Sequence, residues 1–94
     1  MSYTLVRLKV EDYAKWKPFF DQNGTVRKGS GSKGARVFRS AENPNEVTIL
    51  SEWDNLRNAQ QFYQSAELRE VMGKAGVIGK PDITFLDQAD ARSA

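Results

Sequence analysis

Seven large apolar rings stand at Trp16, Phe19, Phe20, Phe38, Trp53, Phe62 and Phe85. Planar rings of this kind stack on a flat ligand and keep water away from a reactive enolate. They equally make a plain core, and the two readings part at the polar tips. The indole N–H groups of Trp16 and Trp53 need partners when buried, and Asn23 adds an amide that can hold a carbonyl or phenolate oxygen. Asn23 just before Gly24 is also an ordinary helix-end cap. Asp12, Asp21, Glu52 and Tyr63 are the candidate proton acceptors, a carboxylate being useful where burial raises its pKa toward neutrality, and each equally suits a solvated surface. Arg27 or Arg36 can meet an anion, or else be solvated or ion-paired. The pocket set is therefore Trp16, Phe20, Asn23, Arg27, Arg36, Phe38, Trp53 and Phe62, with no residue assigned as catalytic.

The 94 residues contain no cysteine and no histidine. Disulfides, thiolate metal sites, iron–sulfur ligation and a cysteine nucleophile are excluded, as are imidazole acid/base catalysis, a proximal haem histidine and most zinc sites. No metal and no cofactor are expected. The formal charge of +2 is too small to imply a polyanion by itself. Residues 27–40, however, carry Arg27, Lys28, Lys33, Arg36 and Arg39 and no acid, which favours an anionic ligand. A phosphate loop is not formed, because Gly29 is followed by Ser30 instead of Lys and the segment runs into a strand. Lys33-Gly34-Ala35-Arg36-Val37-Phe38 lacks the stacking aromatics of an RNA-recognition motif and precedes the second strand instead of forming the third, so nucleic acid is not expected. No apolar run approaches the ~18–20 residues of a membrane span. Met1-Ser2-Tyr3-Thr4 lacks the regions of a signal peptide, and a cytoplasmic location is expected.

The elements that must position these groups follow from periodicity. Val6, Leu8 and Val10 alternate with Arg7 and Lys9 in a first strand over residues 3–10. Asp12 can cap a helix with Trp16, Phe19, Phe20 and Asn23 on one face, which Pro18 either bends or delays to about Lys17. Residues 24–34 read as a loop, above all in their Gly/Ser-rich later half, before a second strand over 35–39. A turn at 41–45 leads to a third strand over 46–53, paired antiparallel with the second. Asp54 or Asn55 caps a helix bearing Leu56, Ala59, Phe62 and Tyr63. Ser65 offers a second cap before Leu68, Val71, Met72 and Ala75, so two short helices or one kinked helix fit equally. Gly73, Gly76 and Pro81 end it, and residues 83–86 form the last strand.

The order β-α-β-β-α-β is the split unit of the ferredoxin-like α+β fold, a four-stranded antiparallel sheet with helices on one face, here as a single domain of residues 1–88 with a disordered tail at 89–94. The other face would be bare, yet the strands place large apolar groups on both sides: Leu5 as well as Val6 and Leu8, Val37 and Phe38, Ile49 and Leu50, Phe85 and Leu86. A second copy, packed sheet to sheet, is the expected cover, so a homodimer is the expected partner.

Glu52-Trp53-Asp54-Asn55-Leu56-Arg57-Asn58-Ala59, followed by Phe62 and Ser65-Ala66-Glu67-Leu68-Arg69, resembles the antibiotic-biosynthesis-monooxygenase-like superfamily of dimeric α+β barrels. Residues 12–21 and 34–39 resemble an uncharacterised bacterial subgroup of it. The resemblance implies a sheet-to-sheet homodimer, with a small-molecule pocket between sheet and helices. For activity it implies a cofactor-independent monooxygenase or isomerase acting on a small aromatic or polyketide-like compound, or alternatively a non-catalytic small-molecule-binding or stress-associated module. Haem-degrading members carry Trp and His where this chain has Phe62 and Met72, so haem degradation is not expected. Asn23 stands where some relatives place an imidazole.

Overall fold

The structure, a computed structural model, describes residues 2–93; Met1, and Ala94 at the end of the expected tail, lie outside the described residues. Strand β1 (Ser2–Val10) follows its two-residue alternation, with Thr4, Val6, Leu8 and Val10 buried and Arg7 and Lys9 exposed. The Asp12 carboxylate accepts from the Ala14 amide at 2.9 Å and starts α1 (Tyr13–Gln22) at once, with Pro18 carried inside the helix. Asn23 keeps helical dihedrals (φ −78°, ψ −1°) and a six-residue helix α2 (Gly24–Gly29) follows directly. The expected loop thus shrinks to Ser30 and Gly31. Backbone bonds from Arg27 to Asn23 and from Ser30 to Val26, both 3.0 Å, outweigh the poor helix propensity of the glycines.

Strand β2 (Ser32–Arg39) begins three residues earlier than its apolar run suggests, because Ser32 already pairs with Trp53 across a register shift before Gly34. Strand β3 (Glu46–Trp53) buries Val47, Ile49, Ser51 and Trp53. Helices α3 (Leu56–Gln64) and α4 (Ala66–Lys74) are separate. Asn55 caps the first, and extended Ser65 both closes α3, donating to the Phe62 carbonyl at 2.9 Å, and caps α4, accepting from the Leu68 amide at 3.2 Å. Strand β4 (Val77–Asp87) starts six residues before the expected Ile83. It is an edge strand whose register against β1 shifts between Arg7 and Lys9, which takes up Pro81 without breaking the ladder.

All pairings are antiparallel, in the order β2-β3-β1-β4, and the four helices make the arrangement ferredoxin-like, β-α-α-β-β-α-α-β. The Cα atoms span 35 × 33 × 20 Å, a slab one sheet and one helical layer thick. Between the layers lie Val6, Leu8, Val10, Trp16, Val47, Ile49 and Ala75, and beside them Trp53, Ala59, Phe62 and Leu68; Tyr63 packs against both groups. The other face of the sheet carries no helix. Leu5 and Leu50 are half-buried there, and Phe38, Ile78 and Leu86 are 50%, 52% and 39% exposed. No helix among the described residues is long and apolar enough to cross a membrane.

Candidate functional site

Between sheet and helices lies an apolar cavity of about 50 Å³. Val6, Leu8, Ile49 and Ser51 form its floor, Trp16, Phe19 and Phe20 of α1 one wall, Phe62 and Tyr63 of α3 another, and Leu68, Val71, Met72 and Ala75 the side nearest α4. Trp16 and Phe20 are spaced i, i+4, which sets their rings stacked at 5.1 Å. Asn23 and Arg27 stand at the mouth. The volume is about that of one or two waters and well below the ~300–1,000 Å³ of a drug-sized site. A ring enters only if side chains give way, and Arg27 and the unbranched Met72 are the most adaptable members of the wall.

Polar chemistry gathers at one corner. The indole Nε1 of Trp53 donates to Thr4 Oγ1 at 2.9 Å in a buried bond, and the Thr4 hydroxyl lies 3.2 Å from that of Tyr63. An indole N–H can only donate, so Thr4 accepts from Trp53 and has its own proton available for the Tyr63 oxygen. That orientation leaves the phenol proton free to point into the cavity. Burial pushes the Tyr63 phenol above its ordinary pKa, against smaller opposing effects of the Thr4 and Ser51 hydroxyls and the Arg27 charge. Ser51 lies near enough to the phenol to bear on its ionisation, yet its buried hydroxyl has no partner of proper hydrogen-bond geometry. Tyr63 is therefore a neutral donor at pH 7 and not a base.

Arg27 faces Tyr63 from α2. Its Nη1 donates to the Phe20 carbonyl at 2.6 Å, and its guanidinium carbon lies 3.7 Å from the centre of the Phe20 ring. Desolvation lowers its pKa, which Tyr63 and Asp21 partly offset, and a guanidinium stays cationic at neutral pH regardless. Among the described residues no carboxylate lies within 4.0 Å of it. A half-buried cation without a counter-ion, a phenol donor and aromatic walls together suit an aromatic anion.

The structure brings Trp16, Phe20, Asn23, Arg27 and Phe62 to this cavity. Trp53 stands behind Phe62, ring centres 5.3 Å apart, and acts through Thr4 instead of lining the space. Arg36 and Phe38, expected in the same pocket, lie on the helix-free face, because β2 pairs them with Leu50 and Thr48 on the exposed side of β3. Of the four candidate proton acceptors only Tyr63 reaches the cavity. Asp12 caps α1, Asp21 pairs with Lys17 at 2.7 Å, and Glu52 faces the other side of the sheet. Thr4 and Ser51 are additions to the sequence-derived set. Their signal was present, since each puts a hydroxyl in the inward register of an otherwise apolar strand face.

A ferredoxin-like layer enclosing an aromatic cavity with a cation and a phenol in its lining defines a small α+β domain. The chain belongs to the antibiotic biosynthesis monooxygenase family, whose profile matches residues 5–74. Solved structures with the same fold include a protein of Bordetella bronchiseptica named as an antibiotic biosynthesis monooxygenase, at 19% identity and TM-score 0.79, the match covering 94% of this chain and 96% of that one. SnoaB, a cofactor-independent oxygenase from Streptomyces nogalater, matches at 9% identity and TM-score 0.79 over 99% of this chain and 97% of its own. Rv0793 from Mycobacterium tuberculosis matches at 12% identity and TM-score 0.72 over 98% of each chain. At these identities the likeness is one of fold. A comparison with curated proteins finds no match.

Proposed function

We propose that the protein is a cofactor-independent oxygenase of a small, electron-rich aromatic compound, taken up in the cavity as an enolate or phenolate. The observation that carries this reading is that Arg27, half-buried and with no carboxylate within 4.0 Å among the described residues, faces the neutral phenol of Tyr63 in one apolar cavity. No carboxylate among the candidate bases lines the cavity, so the site acts on the acidity of the substrate itself. The positive charge and the phenol proton stabilise the anion, and solvent takes the proton. The anion gives one electron to dioxygen, the radical pair joins in a carbon–oxygen bond, and the resulting hydroperoxide loses water. For an anthrone-type methylene the balance is CH₂ plus O₂ to C=O plus H₂O. The family membership and the fold shared with SnoaB support the reaction class.

The chain would work as a homodimer through its helix-free face, where Phe38, Ile78 and Leu86 stand exposed. The test of the activity is oxygen uptake with a panel of anthrones and hydroquinones. Turnover above the uncatalysed rate is expected, falling about a hundredfold in Arg27→Gln; uptake that never exceeds the uncatalysed rate would overturn the reading. The small cavity volume favours a second reading, a module that holds a metabolite without transforming it. Saturable binding without oxygen uptake would identify that case.

A further inference from the structure

Phe20 and Arg27 line two spaces. Inward is the apolar cavity; outward is an open cleft of about 590 Å³ whose charged lining is wholly basic, with Lys28 and Lys33 beside Gly24 and Ser32. Among the described residues neither lysine has a carboxylate within 4.0 Å, and the nearby Asp21 is tied to Lys17. Arg27 separates the spaces. Among the described residues its side chain makes one hydrogen bond and one ring contact, both to Phe20. A shift of the guanidinium along this boundary would join the spaces and give the 50 Å³ cavity the room a ring needs while keeping its charge beside the ring.

From this juxtaposition, and resting on the cavity as the substrate site, we propose that the ligand is an amphipathic aromatic acid. Its ring enters the cavity past Phe20, beside Arg27, and its carboxylate stays in the cleft with Lys28 and Lys33. The apolar interior alone accounts for a ring. The concentration of unpaired positive charge at its mouth, on a chain of net charge only +2, is what a neutral substrate would leave unexplained.

The test compares 2-naphthoate with 2-naphthalenemethanol, nearly equal in shape and differing in charge, by isothermal titration calorimetry. The acid is expected to bind about tenfold tighter at low ionic strength, a preference that shrinks as salt is added. The double variant Lys28→Gln/Lys33→Gln should bring the two ligands to within about twofold, because two partly exposed cations supply the difference. Lys80→Gln removes the same charge from β4 at the opposite edge of the sheet and should keep the preference. Both lysines of the cleft are exposed, so circular dichroism of the double variant should match the parent. Equal affinity of acid and alcohol in the parent protein, no binding of the acid, or full preference in the double variant would each overturn the proposal. Oxygen uptake by the parent protein separates this outcome from the enzymatic reading. Turnover of anthrones without acid preference removes only the ligand class, whereas acid preference without any turnover removes only the oxygenase.

Discussion

The Thr4 hydroxyl is the smallest feature on which the corner of the site depends. Replacing Thr4 with Val keeps the shape of the side chain but leaves the buried Trp53 indole N–H without its acceptor. A loss of about 1–3 kcal/mol is expected, read as a lower urea midpoint at unchanged slope. Tyr63 makes a second prediction through its proton. Burial holds the folded-state pKa above the unfolded value, so the phenol's contribution is intact below pH ~10 and is lost as pH rises through the folded value. Stability of the parent should therefore fall more steeply above pH ~10 than that of Tyr63→Phe, measured by denaturation across that range. The sequence made the aromatic wall legible, because Trp16 and Phe20 sit one helical turn apart. It did not separate Arg27 from Arg36, since both are basic residues of one segment. Only the helix–strand break between them sends the first to the cavity and the second to the far side of the sheet.

Helices and strands fell where hydrophobic period and capping residues agreed, as in β1, β3 and the Asp12 start of α1. The departures have a common cause. Glycine and proline suggest breaks, yet local backbone hydrogen bonds make α2 helical and pairing with β1 extends β4 through Pro81. Gly31 is where a glycine is required. Its φ of +111° lies outside the range that L side chains readily adopt, and a Cβ there would come within 2.5 Å of Asp54 Oδ1. Gly31→Ala should cost about 1–3 kcal/mol. Adding Asp54→Ala should recover the steric part but not the dihedral strain, as thermal unfolding of the single and double variants would show. Because Gly31 joins α2 to β2, its strain would also disturb the helix that carries Arg27.

At the scale of the molecule, two layers leave one face of the sheet without a helix. Apolar neighbours such as Ile49 with Leu50 and Phe85 with Leu86 made two greasy sides legible in the sequence, but not which side each residue takes: Phe38, expected in the pocket, lies on the helix-free face. The same face carries charged residues of both signs, with Arg7 across from Asp82 and Lys9 across from Glu46, and Arg36 and Glu52 beside them. Light scattering behind gel filtration should give about 21 kDa, twice the 10.6 kDa chain mass. Phe38→Glu should shift it toward the monomer, and a parent protein that elutes as a clean monomer would refute the sheet-to-sheet assembly.

The cavity's capacity to hold an anion is measured most directly on a phenol that does not react. Spectrophotometric titration of 2-naphthol bound to the protein should show its acid dissociation lowered by about one pH unit or more relative to free naphthol, with most of the shift lost in Arg27→Gln. Binding with an unchanged or raised naphthol pKa would contradict the account, because the unpaired guanidinium would then have no bearing on charge inside the site.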